Sequence, residues 1–226
     1  MSNLQRFVFS FFNPEVMARY LPFIVQGFLL TIELAIAVIL TGLAGGLLLA
    51  LVRAAQVRPL TWLIVFFVDL LRALPPLVII VLFYFALPYV GVRLSGFTAT
   101  WASLSLVLAA FAEEIFWAGI LAVPRGQWEA ARSTGLTFTQ ALAFVVLPHA
   151  VRLTIPPLTN RAIAITKGTA LGSVVGVPEI LTQAITGQSF AGNPSPLTLG
   201  ALAYLILFVP VVVLGRFIES RFAWKR

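Results

Sequence analysis

Seven ionisable side chains sit where charge is costly. Glu33, Asp69, Arg72, Glu113, Glu114, Arg161 and Lys167 all fall inside long apolar runs. If those runs cross a bilayer, a charge at its centre costs about 2.5–3.5 kcal/mol, so each side chain must face protein or water and find an opposite partner. Asp69 and Arg72 are three residues apart, hence on one helix face and able to pair, whereas Glu114, Arg161 and Glu33 need partners on other helices. Four acids and three bases can largely neutralise one another. The same set also suits a zwitterionic solute, which needs a cation for its carboxylate and an anion for its ammonium. Both uses stay open at this point. The single histidine, His149, and the absence of cysteine leave no histidine- or thiolate-ligated metal centre, and no nucleophile and base fall together.

Depth along the chain favours one shared layer. At about 1.5 Å per helical residue, Asp69 and Arg72 lie about 13 and 18 Å into their run and Arg161 about 15 Å into its own. Glu114, about 22 Å from the opposite end of the third run, falls in the same half. Lys167 is nearer the other surface, where a long side chain can snorkel.

The elements that must hold these charges are membrane helices. Of the 226 residues, 60% are hydrophobic and 10% charged, with a mean hydropathy of +1.02, well outside the range of soluble domains. Crossing ~30 Å of hydrocarbon takes roughly 20 apolar residues. Five stretches qualify, at about 23–52, 60–90, 99–123, 151–177 and 197–217. The expected fold class is therefore all-α, with about five transmembrane helices in one domain, 1–226. The N-terminal residues lack the order of a cleavable signal, so the first run reads as a retained span.

The net charge of +7 comes from scattered arginines, which fit topology signals and not a nucleic-acid surface. Arg53 and Arg58, then Arg125, Arg132 and Arg152, then Arg216, Arg221, Lys225 and Arg226 mark one side; Arg6, Arg19 and Arg93 mark the other. The excess places the N-terminus outside and the C-terminus in the cytoplasm. Pro75-Pro76 and Pro156-Pro157 predict kinks or breaks in spans two and four. Gly42 and Gly46 form a GxxxG that suits a close helix contact. Residues 178–196 read as a short helix ending in a Gly-Asn-Pro-Ser-Pro loop.

Between spans three and four lies EAARSTGLTFTQALAFVVLP, residues 129–148, too polar and too broken to be a span. Glu129 at the positive end of a helix, followed by Ala130 and Ala131, predicts a short helix. Gly135 suits its end, and Thr137 is placed to cap a second helix running to a break at Pro148. The result is a helical elbow on the cytoplasmic face.

The spacing Glu-Ala-Ala, three residues, Gly135, nine residues, then Val145-Val146-Leu147-Pro148 resembles the EAA motif of permease subunits of bacterial ABC importers, with Val145 for the usual Ile. The flanks resemble the branch that imports polar amino acids: TIELA from Thr31, RALPPL from Arg72, EIFWAGI from Glu114, PRGQWEAA from Pro124, PPLTN from Pro156 and KGTALGSVVGV from Lys167. The resemblance covers about residues 20–220. Three positions depart from the pattern: Gly168 stands for the usual Asp, Trp117 for a common Arg, and Arg161 for a common Gln.

The resemblance implies a five-span permease of the type I ABC importer fold, in a bacterial cytoplasmic membrane. It would pair with a second copy or homologous permease, with two ABC ATPase subunits and with an extracytoplasmic solute-binding protein. The EAA loop, about 124–149, would insert into the ATPase, making Glu129, Ala130, Ala131, Gly135, Leu147 and Pro148 the coupling residues. Glu114, Arg72, Arg161, Asp69 and Glu33 would line the solute pathway. No cofactor is expected on this chain, because it carries no GxxxxGK[ST] phosphate loop and ATP and Mg would belong to the ATPase. Besides the solute, its other contact is membrane lipid. The rival expectation is a secondary transporter or channel, which shares intramembrane charges and broken helices but has no need of such an elbow.

Overall fold

A computed structural model describes residues 2–222, which leaves the topology signals Lys225 and Arg226 outside the described residues. The regular elements are helices: α1 (Asn3–Phe11), α2 (Pro14–Ala54), α3 (Arg58–Ala73), α4 (Pro76–Val81), α5 (Gly96–Ala122), α6 (Arg125–Ser133), α7 (Phe138–Ala141), α8 (Leu147–Lys167), α9 (Ile180–Ala191) and α10 (Ser195–Phe222). Four helical stretches are long and apolar enough to cross a membrane: Asn3–Ala54, Gly96–Ala122, Phe138–Val175 and Ser195–Phe222. A fifth crossing arises when the bent pair Arg58–Ala73 and Pro76–Val90 is counted as one span.

That bend, of 101°, falls where the Pro75-Pro76 pair predicts a break. Leu74, which precedes the first proline, is extended at φ −88°, ψ 135°, the conformation that proline forces on its predecessor. The second pair behaves otherwise. Pro156 and Pro157 sit inside α8 without interrupting it, so of the expected kink or break the break is absent. Hydroxyls beside the prolines bond to backbone carbonyls, Thr154 Oγ1 donating to Val151 O at 3.0 Å and Thr159 Oγ1 to Ile155 O at 2.8 Å. These are local back-bonds to the carbonyls of Val151 and Ile155, not to those of Arg152 and Leu153, which the two prolines leave without an amide donor.

Pro148 likewise fails to stop its helix. The five residues before α8, Leu142–Val146, form a π-turn, and the helical path runs on from Phe138 to Val175. A wider turn makes room for a ring that would otherwise strike the carbonyl four residues back. Leu82–Ala86 is a second π-turn, again just ahead of a proline, Pro88.

The chain folds as two compact units. One comprises Met1–Val38, Pro76–Leu104 and Thr166–Val213. Its core packs Ile24, Ile180, Ala184 and Ala203. The short helix expected in 178–196 is α9, and its N-cap is the fully buried Glu179, whose carboxylate accepts from the Leu181 and Thr182 amides at 2.9 and 2.8 Å. Tyr204 of α10 donates to the same carboxylate at 2.5 Å. A buried acid is thereby satisfied without a cation.

The other unit comprises Ile39–Pro75, Ser105–Ile165 and Leu214–Arg226. Here the GxxxG packs as its spacing suggests, against α5. A Cβ on Gly46 would lie 2.5 Å from Ala112 Cβ and 2.9 Å from the Glu113 amide, and one on Gly42 would lie 2.7 Å from Leu108 Cβ. Because the obstruction at Gly46 includes backbone, even a methyl has nowhere to go. Gly46→Ala is therefore expected to cost about 1–3 kcal/mol, the usual range for overpacking, and to lower the melting temperature of the detergent-purified protein. Gly45→Ala, whose Cβ would meet only Ala109 Cβ at 3.3 Å, is the control and should melt close to wild type.

Candidate functional site

The charges of this second unit come together from four helices. Arg53, in the last turn of α2, donates to Glu113 at 3.0 Å, and the Glu113 carboxyl is wholly buried. The Arg53 guanidinium also lies over the Trp117 ring, 4.6 Å from its centroid. Sequence reading treats Arg53 only as a topology signal, because it stands at the end of a run; nothing local marks its partner 60 residues away. Trp117, a departure from the family pattern, supplies the second face of this cation's enclosure.

The neighbouring acid takes the neighbouring arginine. Arg72 of α3 reaches Glu114 of α5 at 2.8 Å and Asp69, one turn earlier on its own helix, at 3.8 Å. Asp69 is 66% and Glu114 49% exposed, so neither acid is sealed in as Glu113 is. Beside them the Phe111 ring carries two cations, with the Arg161 guanidinium carbon 3.6 Å and that of Arg72 5.3 Å from its centroid. Asp69, Arg72, Glu114 and Arg161 thus share one site, as their depths suggest. Phe111 escapes sequence reading because an aromatic in an apolar run resembles core. The usable signal is its place three residues before Glu114, on the same helix face.

Glu33 belongs to the first unit. It is exposed on α2 and makes no ion pair within 4.0 Å among the described residues. Lys167 is exposed as well, at the end of α8.

The elbow takes the expected form with one shift. Helix α6 starts at Arg125, after Pro124, so Glu129 lies at its midpoint and not at its positive end. The helix closes at Gly135, whose φ of +89° belongs to the left-handed region, with its amide donating to Arg132 O at 3.1 Å. Thr137 then caps α7 in a reciprocal box: its hydroxyl accepts from the Gln140 amide, and its own amide donates to Gln140 Oε1 at 2.8 Å. Trp128 stacks on Phe138 across the turn, ring centroids 5.3 Å apart. Glu129, Ala130 and Gly135 face outward, whereas Ala131 is buried. Leu147 and Pro148 belong to α8, the first half-buried and the second exposed.

The family described as binding-protein-dependent transport system inner membrane component matches residues 42–224, which include the whole elbow and the charge cluster. The chain belongs to this family. It is a multi-pass permease of the bacterial inner membrane and part of an ABC transport complex, in which it is a transport component and not the enzyme. That assignment decides against a free-standing secondary transporter or channel.

Among relatives of this permease, the probable glutamine ABC transporter permease protein GlnP of Bacillus subtilis (strain 168) is 37% identical over 208 residues, 90% of this chain and 95% of its own. The probable amino-acid ABC transporter permease protein YckA of the same organism is 31% identical over 214 residues, 94% of each chain. In three dimensions the permease matches a crystal structure of an amino acid ABC transporter with histidines, with a TM-score of 0.82 at 31% identity over 91% of this chain and 96% of that one.

Proposed function

We propose that this permease carries a polar amino acid into the cell, working with a second permease chain, two ABC ATPases and an extracytoplasmic solute-binding protein. ATP and Mg bind and react on the ATPases, and the cytoplasmic side is the one marked by the basic residues around Arg53, Arg125 and Arg216. The observation that carries this reading is the membrane-embedded group of two acids and two arginines, which offers opposite charges to the two ends of an amino acid. The relatives named for glutamine and amino acids agree with it.

In this reading Glu114 and Asp69 serve the ammonium, and Arg72 or Arg161 the carboxylate. Glu33 is an acidic residue of the pathway contributed by α2. The solute enters among charges that already contact one another, so binding exchanges one set of charge contacts for another and need not be tight. The elbow, with Glu129, Ala130 and Gly135 on its outer side, Ala131 beneath and Leu147 and Pro148 carrying it into α8, docks on the ATPase.

The test is uptake of radiolabelled amino acids into proteoliposomes holding permease, ATPase and binding protein. Glu114→Gln and Arg72→Gln, once shown to assemble normally, are expected to lower uptake about tenfold or more, the loss of one charge-assisted contact of about 1.5–3 kcal/mol. Wild-type uptake and wild-type coupling of hydrolysis to solute in both variants would overturn the pathway.

A further inference from the structure

The cluster holds one charge that no carboxylate among the described residues compensates. Arg72 is held twice, by Glu114 at 2.8 Å and by Asp69 at 3.8 Å. Arg161 has no such partner: among the described residues no carboxylate lies within 4.0 Å of its guanidinium. What steadies it is the Phe111 ring at 3.6 Å. An aromatic face attracts a cation through its quadrupole but brings no opposite charge, so the positive charge of Arg161 stays whole. The same ring carries Arg72 at 5.3 Å, which adds a second cation nearby. In a low-dielectric setting an arrangement of this kind calls for an anion, and a planar guanidinium is matched to a carboxylate by two parallel N–H···O bonds.

Of the two acids, Asp69 is the looser. It is 66% exposed and sits 3.8 Å from Arg72, against 2.8 Å for Glu114. An arriving ammonium can take Asp69 while the shorter Arg72–Glu114 pair persists. The four charges then sum to zero, the charge of an amino acid whose side chain is uncharged. A solute with a cationic side chain would bring one positive charge that these four groups leave unbalanced.

We propose that Arg161 is the charge filter of the pathway: it takes the solute carboxylate, Asp69 takes the ammonium, and the permease accepts amino acids with uncharged side chains while rejecting arginine and lysine. This rests on the reading of the cluster as the solute pathway. It singles out Arg161 over Arg72 as the carboxylate site and Asp69 over Glu114 as the ammonium site.

The test removes the binding protein, which makes its own selection, and measures the melting temperature of the purified permease–ATPase complex with millimolar amino acids. A panel of neutral amino acids is compared with arginine and lysine. Wild type is expected to be stabilised by at least one neutral amino acid and by neither basic one. Arg161→Gln should lose that shift, and Arg161→Glu should gain a shift with arginine. Equal stabilisation of wild type by arginine, no stabilisation by any neutral amino acid, or a full neutral shift in Arg161→Gln would each overturn the proposal. Glu114→Gln separates the two ideas. If it loses uptake while Arg161→Gln keeps both uptake and the neutral shift, the filter fails and the pathway stands. If both variants transport like wild type, the pathway itself fails.

Discussion

Ala130→Glu is expected to abolish solute-stimulated ATP hydrolysis, leaving the permease folded and in the membrane. Ala130 faces outward on α6, in the second half of that helix beside Glu129, and is exposed. A carboxylate there keeps the elbow intact and places a bulky charge on the docking surface. If that surface is buried against the ATPase, an uncompensated charge costs several kcal/mol, and loss of stimulation by about a hundredfold is the expected scale. Ala131→Glu gives a different phenotype, because Ala131 is only 6% exposed. The same charge there is buried beneath the elbow and unseats α6 from within. Thermal unfolding separates the two: Ala130→Glu should melt like wild type and Ala131→Glu several degrees lower. Normal stimulation in Ala130→Glu would remove this face of α6 from the coupling surface.

The second large effect belongs to the Arg53–Glu113 pair. Glu113 has no exposed surface, and Arg53 is enclosed by Glu113 and the Trp117 ring. Removing one member of a buried ion pair leaves a bare charge and costs about 3–5 kcal/mol, enough to unfold many proteins. Arg53→Ala and Glu113→Ala are each expected to lower the melting temperature sharply or to prevent recovery of the protein. Replacing both at once, as Arg53→Met with Glu113→Leu, removes the charges together and should restore most of the stability. A double variant as unstable as the worse single one would mean that the pair is needed for more than charge balance. Transport in the double variant then reports whether this pair has any part in function.

What was legible in the sequence divides along a physical line. Features written within one turn or one motif could be read: the Gly135 turn and the Thr137 cap need only local backbone preferences, and the bend at Pro75 follows from what proline does to Leu74. The Asp69–Arg72 pair is a matter of helical spacing alone. Features that depend on which helix lies beside which could not. Arg53 finds Glu113, and Arg161 finds Phe111, only once α2, α5 and α8 are packed. The prolines show the same limit from the other side. Pro148 and Pro156 look like breaks when each is weighed alone. A π-turn makes room for the ring of Pro148, and α8 runs on through Pro156 and Pro157.

That uninterrupted helix has a mechanical meaning. Phe138, the first residue of α7 in the elbow, and Arg161, over the Phe111 ring, lie on one helical path that passes the π-turn and three prolines, Pro148, Pro156 and Pro157. At about 1.5 Å per residue they are separated by about 35 Å of helix, stiff along its axis. A tilt imposed at the elbow is therefore carried as a lever arm to the guanidinium at the charge cluster. Had Pro148 broken the helix, the same tilt would have been spent in a flexible joint.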